Sequence, residues 1–329
     1  MRTVAYNNSF IPPEWVEAHG FRPGWMHLRS TDDNLPVSGV CPYARASFDA
    51  ALSDGSNPII VLATTCNQMR HAAELIARDS DSDVFLLNVP STWQSSAAGQ
   101  LYLEELRRLG RFLVRVGGQS PSPEELTKVM LKHELARCAL KDARHRLSAR
   151  QFIEAATSLH GKATAVLDSG TGPPAPDHIP LALVGGHLLE SDYAILDLIE
   201  RAGGRLVLDT SEGGERSMPA VFDRQRLRED PLAELANAYF RGHVDIFRRP
   251  NSELHQWLAR ELIARKVRGV LFRRYVWCDL WHAELYRFKQ RSPVPVLDID
   301  LSDHDIDLSG RTAGRIEAFL EMLQRTTTC

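Results

Sequence analysis

The stretch that decides the fold is PIIVLATTC, residues Pro58–Cys66. Its apolar run predicts a strand, and a helix-like pattern follows the cysteine. A second stretch has the same layout, because Cys278 follows the apolar run Gly269–Phe272 by a few residues and precedes another helix-like pattern. In a parallel α/β sheet, ligands usually bind in the crevice at the carboxyl ends of the strands. Both cysteines are therefore expected at such a crevice.

A third cysteine, Cys41, lies in the loop-like segment Ser38–Tyr43 (SGVCPY). A helix N-terminus next to a cysteine favours negative charge and lowers the cost of forming a thiolate. Three thiolates brought together from distant parts of the chain can bind a metal or an iron–sulfur cluster and leave one coordination position open. Their spacing does not distinguish zinc from iron–sulfur, since thiolates suit both. Free cysteines that only fill a core are also common.

Strands alternate with helices along the chain, which predicts parallel sheets covered by helices on both faces. The first unit has apolar runs at Pro58–Thr65 and Asp83–Val89. An amphipathic helix is predicted at Leu101–Phe112, with four leucines on or near one face. Ser122 and Glu125 form a capping-box signature, and the helical stretch that follows extends to about His160. Its expected break is at Leu147–Ala149. In the predicted helix Leu101–Phe112, the leucines on or near one face are Leu101, Leu103, Leu106 and Leu109.

A second α/β unit follows the Gly- and Pro-rich segment Ser169–Pro180, which is predicted to be a linker. At 329 residues the chain is long enough for two domains. We therefore predict two doubly wound, Rossmann-like domains, residues 1–168 and 169–329, with a helical connecting segment in the first. The predicted strands of the second unit are Pro180–Gly186, Arg205–Asp209, Val267–Arg273 and Val294–Ile299, and its predicted helices are Asp192–Ala202 with Ser191 as its cap, Ser252–Lys266, one after Cys278 and Thr312–Leu323.

The composition is that of an ordinary globular protein, with 43% apolar residues, 25% charged residues and a net charge of −3. This balance gives no general attraction to nucleic acid or to an anionic membrane. No apolar run approaches the roughly 18 residues that span a bilayer, and the N-terminus lacks the apolar core of a signal peptide. Five cysteines without dense spacing do not suggest a disulfide scaffold, so a reducing cytoplasm is expected.

Two further motifs allow a functional and a structural interpretation. Gly185 and Gly186 follow a predicted strand and let a backbone approach a ligand, but a tight strand-to-helix turn explains them equally well. The acidic run Asp298–Asp307 (DIDLSDHDID) resembles a site for a hard cation but does not match the EF-hand spacing, and a solvated loop is the favoured interpretation. No GxxxxGK[ST] loop is present, so another protein must bind ATP if ATP is used.

Five segments, taken in chain order, together resemble the 2-hydroxyacyl-CoA dehydratase family, which also includes benzoyl-CoA reductase subunits. They are Cys41–Ala46 (CPYARA), Thr64–Arg70 (TTCNQMR), Leu183–Asp209 (LVGGHLLESDYAILDLIERAGGRLVLD), Gly269–Asp300 (GVLFRRYVWCDLWHAELYRFKQRSPVPVLDID) and Gly310–Leu323 (GRTAGRIEAFLEML).

The resemblance implies a [4Fe-4S] cluster held by Cys41, Cys66 and Cys278, with its fourth position open to water, hydroxide or a substrate oxygen. Asn67 stands where the family commonly has Asp directly after the second cysteine. Gly185, Gly186 and Asn67 are the candidate substrate-binding residues, and no general base is assigned.

The resemblance also implies an oxygen-sensitive hydro-lyase subunit that removes water from an acyl-CoA thioester through a ketyl radical. An ATP-hydrolysing iron–sulfur activator would deliver the electron, and the expected assembly is a heterodimer with a related subunit or a homodimer. A reductase of the benzoyl-CoA type is a further possibility. Two other interpretations stay open: a non-catalytic electron-relay or scaffold subunit, and a zinc-stabilised or metal-free α/β binding protein.

Overall fold

The structure is a computed structural model that describes residues 1–30, 39–53, 58–159, 178–302 and 310–325. Within these ranges the chain forms two four-stranded sheets, and all the strand pairings are parallel. The predicted α/β fold of two Rossmann-like units is therefore confirmed. Of the helices in these ranges, none combines the length and the apolar composition that crossing a bilayer requires.

The first sheet has four strands: β1 (Thr3–Tyr6), β2 (Arg22–Trp25), β3 (Ile59–Ala63) and β4 (Asp83–Leu87). Their spatial order is β2-β1-β3-β4. The connecting helices are α1 (Pro13–Ala18), α2 (Pro42–Ser53), α3 (Asn67–Asp79) and α4 (Ser96–Arg115). Two helices then lead toward the second sheet, α5 (Pro123–Ala143) and α6 (Ala149–Ser158), with a 3-10 turn at Arg144–Arg146 between them.

The second sheet has strands β5 (Ile179–Gly185), β6 (Gly204–Asp209), β7 (Gly269–Tyr275) and β8 (Val296–Leu301), in the order β6-β5-β7-β8. Its helices are α7 (Tyr193–Arg201), α8 (Arg224–Glu229), α9 (Pro231–Gly242), α10 (Ser252–Ala264), α11 (Asp279–Arg291) and α12 (Arg311–Arg325). The predicted boundary between residues 168 and 169 lies outside the described residues, as does most of the predicted linker Ser169–Pro180.

Alternate residues of β3 face opposite cores, as expected for a parallel strand covered on both sides. Ile60 and Leu62 belong to one core, whereas Ile59 and Val61 belong to another. The first of these cores also contains Leu181 from β5, so it extends from one sheet to the other. Burial of apolar surface therefore joins the two units as well as stabilising each of them.

The second half of the chain returns to complete the core of the first sheet. Phe222, Leu235, Tyr239 and Phe247 all pack in the cluster that contains Val4 of β1. Helix α9 accordingly lies against α4 and α5. The first sheet is thus covered partly by residues that follow β6 in sequence.

Two local predictions from the sequence are confirmed. The Ser122 hydroxyl accepts a hydrogen bond from the Glu125 amide at 3.2 Å, and the Glu125 carboxylate accepts one from the Ser122 amide at 2.8 Å. The predicted break at Leu147–Ala149 coincides with the start of α6, where Ser148 and Gln151 form a second capping box. Both helices begin where a side chain satisfies backbone amides that have no partner within the helix.

Two other local predictions are wrong. Leu101 is exposed, because the buried face of α4 follows the helical spacing of Tyr102, Leu106, Leu109 and Leu113 instead. Ser191 does not cap a helix, since its hydroxyl lies 2.9 Å from the Ser30 hydroxyl. At that turn the Asp192 carboxylate accepts a hydrogen bond from the Leu189 amide at 2.7 Å.

The acidic run Asp298–Asp307 begins within a strand. Asp298 and Asp300 lie on β8, and Arg274 of β7 pairs with both, at 3.4 Å and 2.8 Å. These two carboxylates therefore balance the charge of a largely buried arginine. Residues 303–309 lie outside the described residues, so the interpretation of the whole run as a solvated loop stays a prediction.

A buried ion cluster joins the two units. Arg216 contacts the carboxylate of Glu212 at 2.7 Å and also that of Asp245. The side chains of these three residues are 1%, 6% and 5% exposed, in that order. Glu212 in turn accepts hydrogen bonds from the amide and the hydroxyl of Ser9, which follows β1. The cluster therefore links the end of the first sheet to loops of the second.

Replacing Arg216 by Met is expected to destabilise the protein by about 3–5 kcal/mol, because two buried carboxylates lose their counter-charge. Urea unfolding measures the change. The exposed pair of Arg107 with Glu104 provides the control, and Arg107→Met is expected to cost less than about 1 kcal/mol. Equal effects of the two substitutions would contradict the assignment of Arg216 as the buried link.

Hydrogen bonds from His133 and Lys132 on α5, both at 2.7 Å, lower the pKa of Glu17 to about 2. A carboxylate whose pKa falls on folding stabilises the native state at higher pH, and this contribution is lost as the pH falls toward 2. We expect Glu17→Gln to be less stable than the wild type at pH 7, with the difference shrinking as the pH falls from about 5. Urea unfolding at several pH values tests this, with the exposed Glu321→Gln as control. A difference that does not change with pH would contradict it.

Candidate functional site

A cavity of about 320 Å³ lies where the carboxyl ends of strands from both sheets meet. Its lining includes residues that follow β1, β3, β5 and β6, and residues at the end of β7 and after it. The three cysteines predicted to act together, Cys41, Cys66 and Cys278, all line this cavity. The structure thus brings together the residues that the sequence spacing left far apart.

Each of these cysteines stands at the start of a helix. Cys66 is the N-cap of α3, and its sulfur accepts a hydrogen bond from the Met69 amide at 3.4 Å. Cys41 directly precedes α2, and its sulfur accepts one from the Ala44 amide, also at 3.4 Å. Cys278 is the N-cap of α11. The expected helix starts after Cys66 and Cys278 are confirmed, and Cys41, predicted in a loop, borders a helix as well.

Burial raises the pKa of Cys41 to about 12 and the pKa of Cys66 to about 11. Burial also raises the pKa of Cys278. Helix-terminal amides lower the pKa of the first two, as expected, but burial outweighs them. The charges of Cys66 and Cys278 further raise the pKa of Cys41, so three thiolates here repel one another. A cationic centre is what would hold all three sulfurs deprotonated together.

The donor set of the cavity fits an iron–sulfur cluster. Cysteine thiolates are the usual ligands of such clusters, and here three come from three different helix starts. The cavity has the volume of roughly ten water molecules, so it has room for more than one ion. The fit is one of donor chemistry and room, since among the residues that the structure describes no group of three or more His, Cys, Asp or Glu side chains is already arranged to hold a metal ion.

The candidate substrate-binding residues differ in position. Asn67 is exposed and lines the cavity, and Gly186 lines it as well. Gly185 is not part of the lining, because it packs against β7 so closely that a Cβ atom there would overlap the Arg273 carbonyl oxygen. A Cβ on Gly186 would meet the Trp281 indole nitrogen at 3.0 Å. Close packing thus accounts for Gly185, and the substrate role of all three stays a prediction.

A buried network holds the loop that follows β5. The Arg273 guanidinium contacts the Asp192 carboxylate at 2.6 Å and also donates to the His187 carbonyl oxygen. Asp192 accepts a further hydrogen bond from the Tyr275 hydroxyl, which itself accepts one from the Leu189 amide at 2.9 Å. Because these contacts tie the backbone at His187 and Leu189 to side chains of β7, they fix the backbone that leads from β5 into the cavity.

Two aromatic rings in the cavity wall were not singled out from the sequence. The Tyr43 ring stacks on the His187 ring with centroids 4.0 Å apart and an interplanar angle of 9°. Burial, together with the nearby Arg216 charge, lowers the pKa of His187 to about 3. Their only sequence signal is adjacency to motifs, since Tyr43 is two residues after Cys41 and His187 directly follows Gly186.

The rim of the cavity carries exposed and strained residues. Arg70 and Asn67 are exposed on the first turn of α3. Trp277, directly before Cys278, is 59% exposed and has a φ of +66°. A non-glycine residue in this left-handed region carries backbone strain, which concentrates at functional sites. The rim therefore presents a cation, an amide and an indole to solvent.

A family model described as "2-hydroxyglutaryl-CoA dehydratase, D-component" matches residues 8–323. The chain belongs to this family. The match covers all three cavity cysteines and begins at Asn8, another residue of the cavity lining. A search of curated proteins found no match. Membership supports a dehydratase-type subunit, and a D-component implies a partner subunit in a complex.

Replacing Gly185 by Ala is expected to cost more stability than replacing Gly186 by Ala. The new methyl group at position 185 would collide with strand backbone, whereas the one at 186 would meet the edge of an indole ring that can shift. We expect about 3 kcal/mol or more for the first substitution and about 1 kcal/mol for the second, measured by urea unfolding. The reverse order would show that the packing around these glycines is wrongly assigned.

Proposed function

We propose that this chain is a subunit of a 2-hydroxyacyl-CoA dehydratase and holds a [4Fe-4S] cluster on Cys41, Cys66 and Cys278. One observation carries the proposal: cysteines from three separate helix starts line a single cavity at the carboxyl ends of the strands. Family membership supplies the reaction class, which is removal of water from a 2-hydroxyacyl thioester. When bound, the cluster would supply an electron and an open Lewis-acid position.

The helix starts are suited to sulfur ligands that carry charge. Amides of Ala44 and Met69 donate to the sulfurs of Cys41 and Cys66, and these hydrogen bonds favour the thiolate. The guanidinium charges of Arg273 and Arg274 act in the same direction at Cys278. The protein thus offsets part of the cost of three negative charges before any ligand binds.

The inner walls of the cavity are suited to excluding water from the reacting group. Phe247, Tyr275 and Trp281 all line it and are largely buried. Exclusion of water strengthens the electrostatic effect of every charge and dipole around a bound thioester. The exposed rim has the opposite character, since Arg70 is suited to a phosphate of the acyl carrier. We propose that the acyl group lies inside and the carrier lies across this rim.

The proposed reaction needs partners. No phosphate-binding loop is present in the sequence, so ATP-driven delivery of the electron is assigned to a separate iron–sulfur activator protein. A related second subunit, or a second copy of this chain, would complete the enzyme. Binding of an acyl-CoA ester to this subunit would favour a catalytic role over that of an electron relay or scaffold.

Anaerobic purification is expected to give a brown protein with about four iron and four sulfide per chain. Cys66→Ser is expected to lose most of this iron, because a neutral hydroxyl replaces a thiolate ligand. Cys138→Ser is the matched control, since Cys138 lies within α5, is not part of the cavity lining and should keep its iron. Iron and sulfide analysis with visible absorption provides the measurement. Full iron content in Cys66→Ser would refute the ligand assignment. Zinc in place of iron in the purified wild type would favour the binding-protein interpretation.

A further inference from the structure

Two buried polar atoms in the cavity wall have no hydrogen-bond partner among the described residues. They are the hydroxyl oxygen of Tyr43 and the Nδ1 atom of His187. Both residues line the cavity that contains the three cysteines, and their rings are stacked on each other. Buried polar atoms are nearly always paired, and leaving one unpaired costs about 1–3 kcal/mol. Two such atoms on one stacked pair indicate a ligand that pairs with them.

Both side chains are held in place by contacts that leave these atoms unpaired. Tyr43 is 2% exposed and lies on the first turn of α2, where its carbonyl oxygen accepts a hydrogen bond from the Ser47 hydroxyl at 2.9 Å. The His187 backbone is fixed by Arg273, which donates to its carbonyl oxygen. The stacking of the two rings then limits rotation of either side chain. The two unpaired atoms are thus preorganised.

The chemistry of the pair favours a neutral ligand group. The pKa of His187 is lowered to about 3, so its imidazole is neutral at physiological pH, with one donor nitrogen and one acceptor nitrogen. The phenol of Tyr43 has an O–H group that can donate a hydrogen bond. A hydroxyl group can accept from one partner and donate to the other at the same time, whereas a carbonyl oxygen can only accept.

We propose that Tyr43 and His187 are positioning residues that bind the 2-hydroxyl group of the acyl substrate. The Tyr43 hydroxyl donates to the substrate oxygen, and the His187 ring nitrogen accepts the substrate proton in a hydrogen bond. This inference rests on the proposed function and goes beyond it, because it assigns the recognition of the group that leaves as water. It also predicts discrimination against acyl thioesters that lack this hydroxyl.

The test compares matched CoA esters that differ only by the hydroxyl group: lactoyl-CoA with propionyl-CoA, and 2-hydroxyglutaryl-CoA with glutaryl-CoA. Anaerobic calorimetry on the purified holoprotein gives the dissociation constants. The wild type is expected to prefer the hydroxylated member of a pair by about tenfold or more. Tyr43→Phe and His187→Phe keep an aromatic ring and remove the polar atom, so each should lower this preference by about three- to tenfold. Affinity for the deoxy ester should stay within about twofold.

Tyr286→Phe is the control, because this tyrosine is 73% exposed on α11. Removal of its hydroxyl group should leave the preference for the hydroxylated ester unchanged. Wild type that binds both members of a pair equally would overturn the inference without any variant, so the test does not depend on the variants folding. An equal loss of affinity for both esters in the variants would also overturn the inference, and so would an unchanged preference. In either case the proposed function would stand. Failure of the wild type to bind any of these esters would refute the inference and count against the proposed function.

Discussion

The geometry of the cavity depends on the buried ion pairs that the guanidinium of Arg216 makes. Its two carboxylate partners, Glu212 and Asp245, come from loops of the second unit, and Glu212 also receives two hydrogen bonds from Ser9 behind the first strand. Charges in a medium of low polarity tolerate little misplacement of their partners. The carboxyl edges of the two sheets are therefore held facing each other, and the cavity is the space between them.

Within that space, burial and helix termini act on the cysteines in opposite directions. Amides at the helix starts favour thiolates, but removal from water favours thiols and is the larger effect for Cys41 and Cys66. At Cys41, repulsion from the charges of Cys66 and Cys278 also raises the pKa and favours the thiol. The arrangement is therefore poor as a set of independent nucleophiles and suited to a shared positive centre. The position of these cysteines in the fold therefore determines their protonation more than the residue type alone does.

The sequence predicted what short-range patterns encode. The apolar run before Cys66 and the helix-like pattern after it were enough to place that cysteine at a strand end and a helix start. The capping box at Ser122 was equally local. The four-residue strands Thr3–Tyr6 and Arg22–Trp25 were not predicted, because so short a run has no clear periodicity.

Contacts between residues far apart in the chain could not be predicted from the sequence, for a different reason. Tyr43 and His187 stack although far apart in the chain, and Ser9 reaches Glu212 across 203 positions. No local pattern records which of many possible partners a side chain meets after folding. The family resemblance supplied the grouping of the three cysteines, but it did not supply the rings or the ion cluster that surround them.

The return of Phe222–Phe247 to the first sheet has a consequence for biosynthesis. While the chain emerges from the ribosome, the apolar face of α4 that α9 finally covers must wait until most of the second unit has been translated. Domains that are complete in sequence can fold one after another during synthesis. This protein instead leaves its first half unfinished until late, so a nascent chain truncated before Phe222 should be prone to aggregation and to capture by chaperones.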